Sequence, residues 1–60
     1  MDIYIIGEMN DKTLTYFHPN EGRFIAGVKC VCSEKDFDRA INIAAVDYPL
    51  LKVYKMPVDN

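Results

Sequence analysis

Apolar residues along this chain come mostly in short β-branched and aromatic blocks, and helical spacing appears in a single stretch. Residues 2–8 (Asp2-Ile3-Tyr4-Ile5-Ile6-Gly7-Glu8) predict a first strand. Met9-Asn10-Asp11-Lys12 predicts a turn, because Asn and Asp side chains can bond their own backbone. Residues 13–17 predict a second strand. In Pro19-Asn20-Glu21-Gly22, Pro opens a second turn and Gly takes a positive φ near its close. Residues 23–32 are long enough for a third strand, with Gly27 marking a bulge or bend. Ser33 then caps a helix, and Glu34 and Asp36 suit the positive end of its dipole. Cys32 and Phe37 stand at the two positions of a hydrophobic staple. Phe37, Ala40, Ile41, Ala44, Ala45 and Tyr48 form one apolar stripe. Pro49 excludes Tyr48 from helical geometry and ends the helix by Asp47. Residues 50–56 predict a last strand, which Pro57 confines to an edge or terminus.

Turn chemistry sets the expected register. A three-residue loop at Asn20-Glu21-Gly22 pairs Pro19 with Arg23, Tyr16 with Ala26 and Leu14 with Val28. The helix then covers Leu14, Tyr16, Phe24, Ala26, Val28, Cys30 and Cys32, while Thr13, Thr15, Phe17, Ile25, Lys29 and Val31 face away. Pairing Glu8 with Thr13 adds Ile3, Ile5 and Gly7 to the helix side and Tyr4, Ile6 and Glu8 to the other. Leu51 and Val53 point to the core, and Leu50, Lys52, Tyr54 and Met56 point outward. The expected architecture is α+β: a three-stranded antiparallel meander, one helix on one sheet face, and a fourth strand beside the first or the third, with a right-handed crossover parallel to either geometrically open.

Composition narrows the class. The 60 residues are 50% hydrophobic and 27% charged, with three Gly and three Pro, which fits one small folded domain over residues 1–60. A chain this short buries only about 60% of its unfolded surface, so a partner or a second copy would add stability. No apolar run approaches the roughly 20 residues of a membrane span. One helix cannot cover both faces of a four-stranded sheet. The uncovered face is expected to present Tyr4, Ile6, Phe17, Ile25 and Tyr54, beside Thr15 and Lys52, as a binding surface for a protein partner or a homodimer. Glu34, Asp36 and Asp38, with Ile43 and Val46 off the main helical stripe, make a second candidate surface.

Charge argues against nucleic acid as the first choice. Seven Lys+Arg against nine Asp+Glu give a net charge of −2, and the cations are interleaved with acids along the chain. Bases stacked on Tyr4, Phe17 and Tyr54, with Lys29 and Lys52 nearby, remain the alternative reading. The acidic helix start serves its dipole first and phosphate mimicry second.

Candidate chemistry is sparse. Cys30-x-Cys32 offers two sulfurs and His18 one nitrogen, but a closed zinc site needs four ligands. His18 lacks a nearby nucleophile. Gly7, Gly22 and Gly27 have no nucleotide-loop spacing. The expectation is a protein with no catalytic residue, metal or cofactor. Met1-Asp2-Ile3-Tyr4 lacks the basic and long apolar regions of a signal peptide, which points to the cytoplasm and reduced thiols.

Val28-Lys29-Cys30, the capped segment Ser33-Glu34-Lys35-Asp36-Phe37-Asp38-Arg39-Ala40-Ile41 and Leu51-Lys52-Val53-Tyr54 give a strand, helix and closing strand. Over the last half of the chain this order resembles very small accessory proteins of phages and mobile elements, anti-CRISPR proteins among them. The resemblance implies stoichiometric inhibition of a host or defence protein, and it carries over no functional residue. The leading expectation is therefore a non-enzymatic protein-binding module. Single-stranded nucleic-acid binding and simple self-association are the alternatives.

Overall fold

The computed structural model describes residues 2–58; Met1, Asp59 and Asn60 of the expected 1–60 domain lie outside the described residues. The elements are β1 (Ile3–Glu8), β2 (Leu14–His18), β3 (Arg23–Ala26), β4 (Val31–Cys32), α1 (Glu34–Asp47) and β5 (Lys52–Pro57). The fold is α+β, with the expected meander in β1, β2 and β3 and the helix on one face.

β1 is the hub of the sheet. It pairs with β5 along its whole length, from Ile3 opposite Pro57 to Glu8 opposite Lys52. Its other edge is shared: β2 takes Ile6, Gly7 and Glu8, and β4 takes Ile3 and Tyr4. β3 pairs with the far side of β2. All four pairings are antiparallel, so β4 and β5 run parallel to each other with β1 between them. The last strand thus lies beside the first strand, not the third, and runs antiparallel to it: the crossover through α1 joins the parallel strands β4 and β5 on either side of β1.

The expected third strand is two strands. Gly27 adopts φ 89°, a left-handed geometry that glycine accepts without strain, and the chain leaves β2 there. It re-enters the sheet at Val31, alongside β1. The segment between is held in part by the His18 ring, whose Nε2 lies 2.8 Å from the Val28 carbonyl oxygen.

Val28, expected opposite Leu14 and under the helix, lies in the segment between β3 and β4 and is 60% exposed. Among the strands, the faces depart from expectation in β2. In the first hairpin Glu8 faces Leu14, and the turn closes through Met9 N–H to Thr13 O (2.9 Å) with Lys12 at φ 74°. Asp11 steadies that turn by accepting a bond from Thr13 N–H (3.0 Å). In the second hairpin His18 faces Arg23, so the loop has four residues, 19–22, closed by Glu21 and Gly22 N–H on the His18 carbonyl. Each turn shifts β2 by one residue, and the two shifts cancel across it. β1 and β3 keep their expected faces, whereas β2 is inverted. Phe17 therefore lies under the helix with no exposed surface, and Leu14 and Tyr16 lie on the opposite face.

The core comprises Ile3, Ile5, Phe17, Phe24, Cys32, Ala40 and Ala44, with Phe37, Ile43, Leu51 and Val53 packed around it. Ala40 and Ala44 present little side chain, so the helix lies close to the sheet. The Phe17 and Phe24 rings meet at 5.3 Å, and Tyr48 meets Phe24 edge-on at 6.1 Å. Ile43 replaces Ile41 in the buried stripe; Ile41 is exposed. At the helix start the Asp36 carboxylate accepts from Ser33 N–H (2.9 Å) and Ser33 Oγ–H (3.2 Å). At its end Tyr48 N–H bonds the Ala44 carbonyl, and Pro49 stops further turns.

Two pairs of substitutions read this packing in urea denaturation. Phe17→Ala is expected to cost about 3–5 kcal/mol, the usual penalty of a buried aromatic truncation, and Tyr16→Ala clearly less. Equal costs would contradict the register. Gly7→Ala is expected to destabilise by about 1–3 kcal/mol through overpacking, because its Cβ would stand 2.8 Å from both Leu51 Cδ2 and Thr15 Oγ1 and 2.9 Å from Phe24 Cδ2. The more exposed Ala26→Gly should cost less.

Candidate functional site

With the helix on one side, the other side of the sheet is open. Cross-strand pairing puts Ile25, Tyr16, Ile6 and Tyr54 in one transverse row. Tyr4 lies between Val31 and Met56 toward one end, and Glu8 lies between Leu14 and Lys52 toward the other. Of the expected set, Tyr4, Ile6, Ile25 and Tyr54 share this face. Phe17 does not: its place is taken by Tyr16, and Leu14 joins it. Ile6 is only 5% exposed and forms the floor, while the tyrosines and Ile25 are half-buried around it. The most exposed apolar side chains of the face are aliphatic: Leu14 at 42%, Val31 at 50% and Met56 at 38%.

Polar groups at the face are partly committed to one another. Glu8 lies 3.9 Å from Lys12 Nζ, and it accepts a long bond (3.4 Å) from the Tyr54 hydroxyl. Burial first, and the Glu8 carboxylate second, push the Tyr54 hydroxyl above its ordinary pKa. Glu21 lies 3.9 Å from Arg23. Lys29 Nζ sits 5.3 Å from the centre of the Tyr4 ring, a cation–π contact.

The second expected surface is dispersed. Glu34 is tied to Lys55 at 2.7 Å, and Asp36 caps the helix and lies 3.6 Å from Arg39. Ile43 packs on the core, which leaves Asp38 and Val46 outward. The helix-side cations also work internally. Lys55 lies over Phe37 (5.2 Å), and Arg39 lies over Phe17 (5.7 Å) and donates to the Pro19 carbonyl.

A second apolar feature escapes the strand-and-helix reading. Met9, Asn10, Asp11, Tyr48, Pro49, Leu50 and Leu51 line a groove of about 360 Å³ between the first turn and the helix end. Leu50 is 76% exposed beside it. Its sequence signal is the apolar run Tyr48-Pro49-Leu50-Leu51, too short for periodicity to assign a face.

The cysteines are free thiols with different surroundings. Cys32 is buried under the helix start, its Sγ 3.4 Å from the carbonyl oxygens of Phe17 and Cys30, and Cys30 is half-buried. Burial, then the neighbouring Cys30 and Asp36, push the Cys32 pKa up to about 11. Among the described residues no three His, Cys, Asp or Glu side chains converge as a metal-binding group. No helix among them is long and apolar enough to cross a membrane.

Comparison with protein-family models, curated proteins and solved structures gives no match. The open face therefore has to be interpreted from its own chemistry.

The thiol shift has a signed consequence for stability. Because the folded state holds the Cys32 proton more tightly than the unfolded chain, stability is fully present below the ordinary thiol value of 9.0 and falls as pH rises through about 11. The raised Tyr54 hydroxyl acts in the same sense. Urea midpoints measured across this range should decline, and Cys32→Ala should flatten the decline in part. An equally steep decline in Cys32→Ala would remove Cys32 as its source.

Proposed function

We propose that this chain is a non-enzymatic protein-binding module that engages its partner through the open sheet face. The observation that carries the reading is the row Ile25, Tyr16, Ile6 and Tyr54, flanked by exposed Leu14, Val31 and Met56, on the side of the sheet opposite the helix. Contiguous apolar exposure of this kind typically marks an interface, and tyrosines supply large contact area at low entropic cost. The resemblance to mobile-element accessory proteins extends the proposal to stoichiometric inhibition of a host or defence protein in the cytoplasm. Base stacking on the same face is the weaker reading, since Phe17, one of its three expected rings, is buried in the core.

Affinity capture from host extract, with proteins and nucleic acids both identified, tests the proposal. Tyr4→Ala combined with Tyr54→Ala is expected to reduce retention of the captured protein about tenfold or more, as loss of interface anchors does, with far-UV helix signal preserved. Unchanged retention rejects this face as the binding site. Capture of nucleic acid alone rejects the protein reading. Sedimentation at micromolar concentration separates both from self-association, which predicts a dimer that the same variant dissociates.

A further inference from the structure

The charges around the open face point to the chemistry of its partner. Two of its carboxylates are engaged, Glu8 with Lys12 and the Tyr54 hydroxyl, and Glu21 with Arg23. The third, Asp2, is exposed two residues before Tyr4 at the outer corner and forms no ion pair among the described residues. Lys29 and Lys52 likewise form no ion pair among the described residues. They also bracket the apolar row. Lys29 stands over Tyr4, Lys52 lies opposite Glu8, and Ile6 with its neighbours lies between. Tyr4 and Glu8 are four residues apart on β1, a separation of about 13 Å at roughly 3.3 Å per residue.

An extended polypeptide repeats its side-chain direction every second residue with the same rise. A strand laid along β1 would thus place residues i, i+2 and i+4 over Tyr4, Ile6 and Glu8, with residue i beside Lys29, residue i+2 over the tyrosine row and residue i+4 reaching across Glu8 to Lys52 on β5. Building on the protein-binding reading, we propose that the open face recognises an extended acidic segment of a protein, with carboxylates at i and i+4 and an apolar side chain at i+2. The i+2 side chain enters between Tyr16 and Tyr54, above Ile6. One carboxylate extends the Tyr4–Lys29 stack, and the other neutralises Lys52. Leu14, Val31 and Met56 supply aliphatic contact at both ends of the segment. That aliphatic rim favours polypeptide over nucleic acid, whose bases need exposed rings and whose backbone needs a continuous line of cations.

Fluorescence anisotropy with the full chain tests this using three labelled probes: a peptide containing Glu-x-Leu-x-Glu, its counterpart Lys-x-Leu-x-Lys, and an oligothymidylate. The acidic peptide is expected to bind, and its affinity to fall roughly fivefold in Lys29→Gln/Lys52→Gln, the scale of two exposed ion pairs. Raising salt to about 0.5 M, where the Debye length shrinks to a few ångströms, should weaken it similarly in the wild type and little in the double variant. Both lysines lie on the surface and glutamine retains their length, so circular dichroism should be unchanged. Equal binding of the lysine peptide, or no loss in the double variant, overturns the acidic assignment. Failure of both peptides overturns it too, while the Tyr4/Tyr54 capture experiment still decides whether the face binds a protein at all. Tighter binding of oligothymidylate than of the acidic peptide replaces the polypeptide with single-stranded nucleic acid.

Discussion

The helix can reach the sheet closely because Ala40 and Ala44 are its inward residues, and the close approach seals Ile5 and Phe17 from water. Both positions of this contact are short of alternatives. A larger residue at either alanine would lift the helix, and on the other side of β2 the Phe17 ring would face water instead of the core. Fixing Phe17 inward fixes Tyr16 outward, since neighbouring strand residues point to opposite faces. The tyrosine row on the open side is thus set by how the core packs on the other. The core and the make-up of the open face are decided by the same register, and a slip of one residue in β2 would disturb both at once.

Much of this arrangement was legible in the residues. The helix limits followed from Ser33, Asp36 and Pro49, each with its own local mechanism. The faces of β1 and β5 followed from alternation, with Ile3 and Ile5 inward and Tyr4, Ile6 and Tyr54 outward. β2 was not legible from periodicity because both its faces carry a large aromatic residue, Tyr16 on one and Phe17 on the other. Its register rests on Lys12 taking a left-handed conformation uncommon for a residue with a side chain, and on a second turn one residue longer than its Gly22 suggests. The hydroxyl is the signal that could have separated them: Tyr16 can leave it at water, whereas Phe17 has nothing to satisfy in a closed core.

Charge behaved differently from hydrophobicity. Along the chain the lysines and arginines look interleaved with acids, but folding assigns them separate tasks. Arg39 and Lys55 are spent on the helix-side packing, over Phe17 and Phe37. Lys12 and Arg23 lie near carboxylates at the margins of the open face. Lys29 and Lys52 are left around the tyrosines. A net charge of −2 therefore says little about this surface. The candidate interface is defined by which charges the fold leaves unengaged, a property that no sum over the sequence contains.

The placement of β1 between β2 and β5 also bears on how the chain acquires its structure. β1 precedes the other described strands along the chain, yet one of its edges is completed only by β5, Lys52–Pro57. Without that strand one edge of β1 has no partner, and α1 loses its packing against β5. Cooperative closure is consequently a late, long-range event, and contacts distant in sequence fold more slowly than local ones. β5 also delivers Tyr54 and Lys52, so the open face is assembled only by the pairing most distant in sequence.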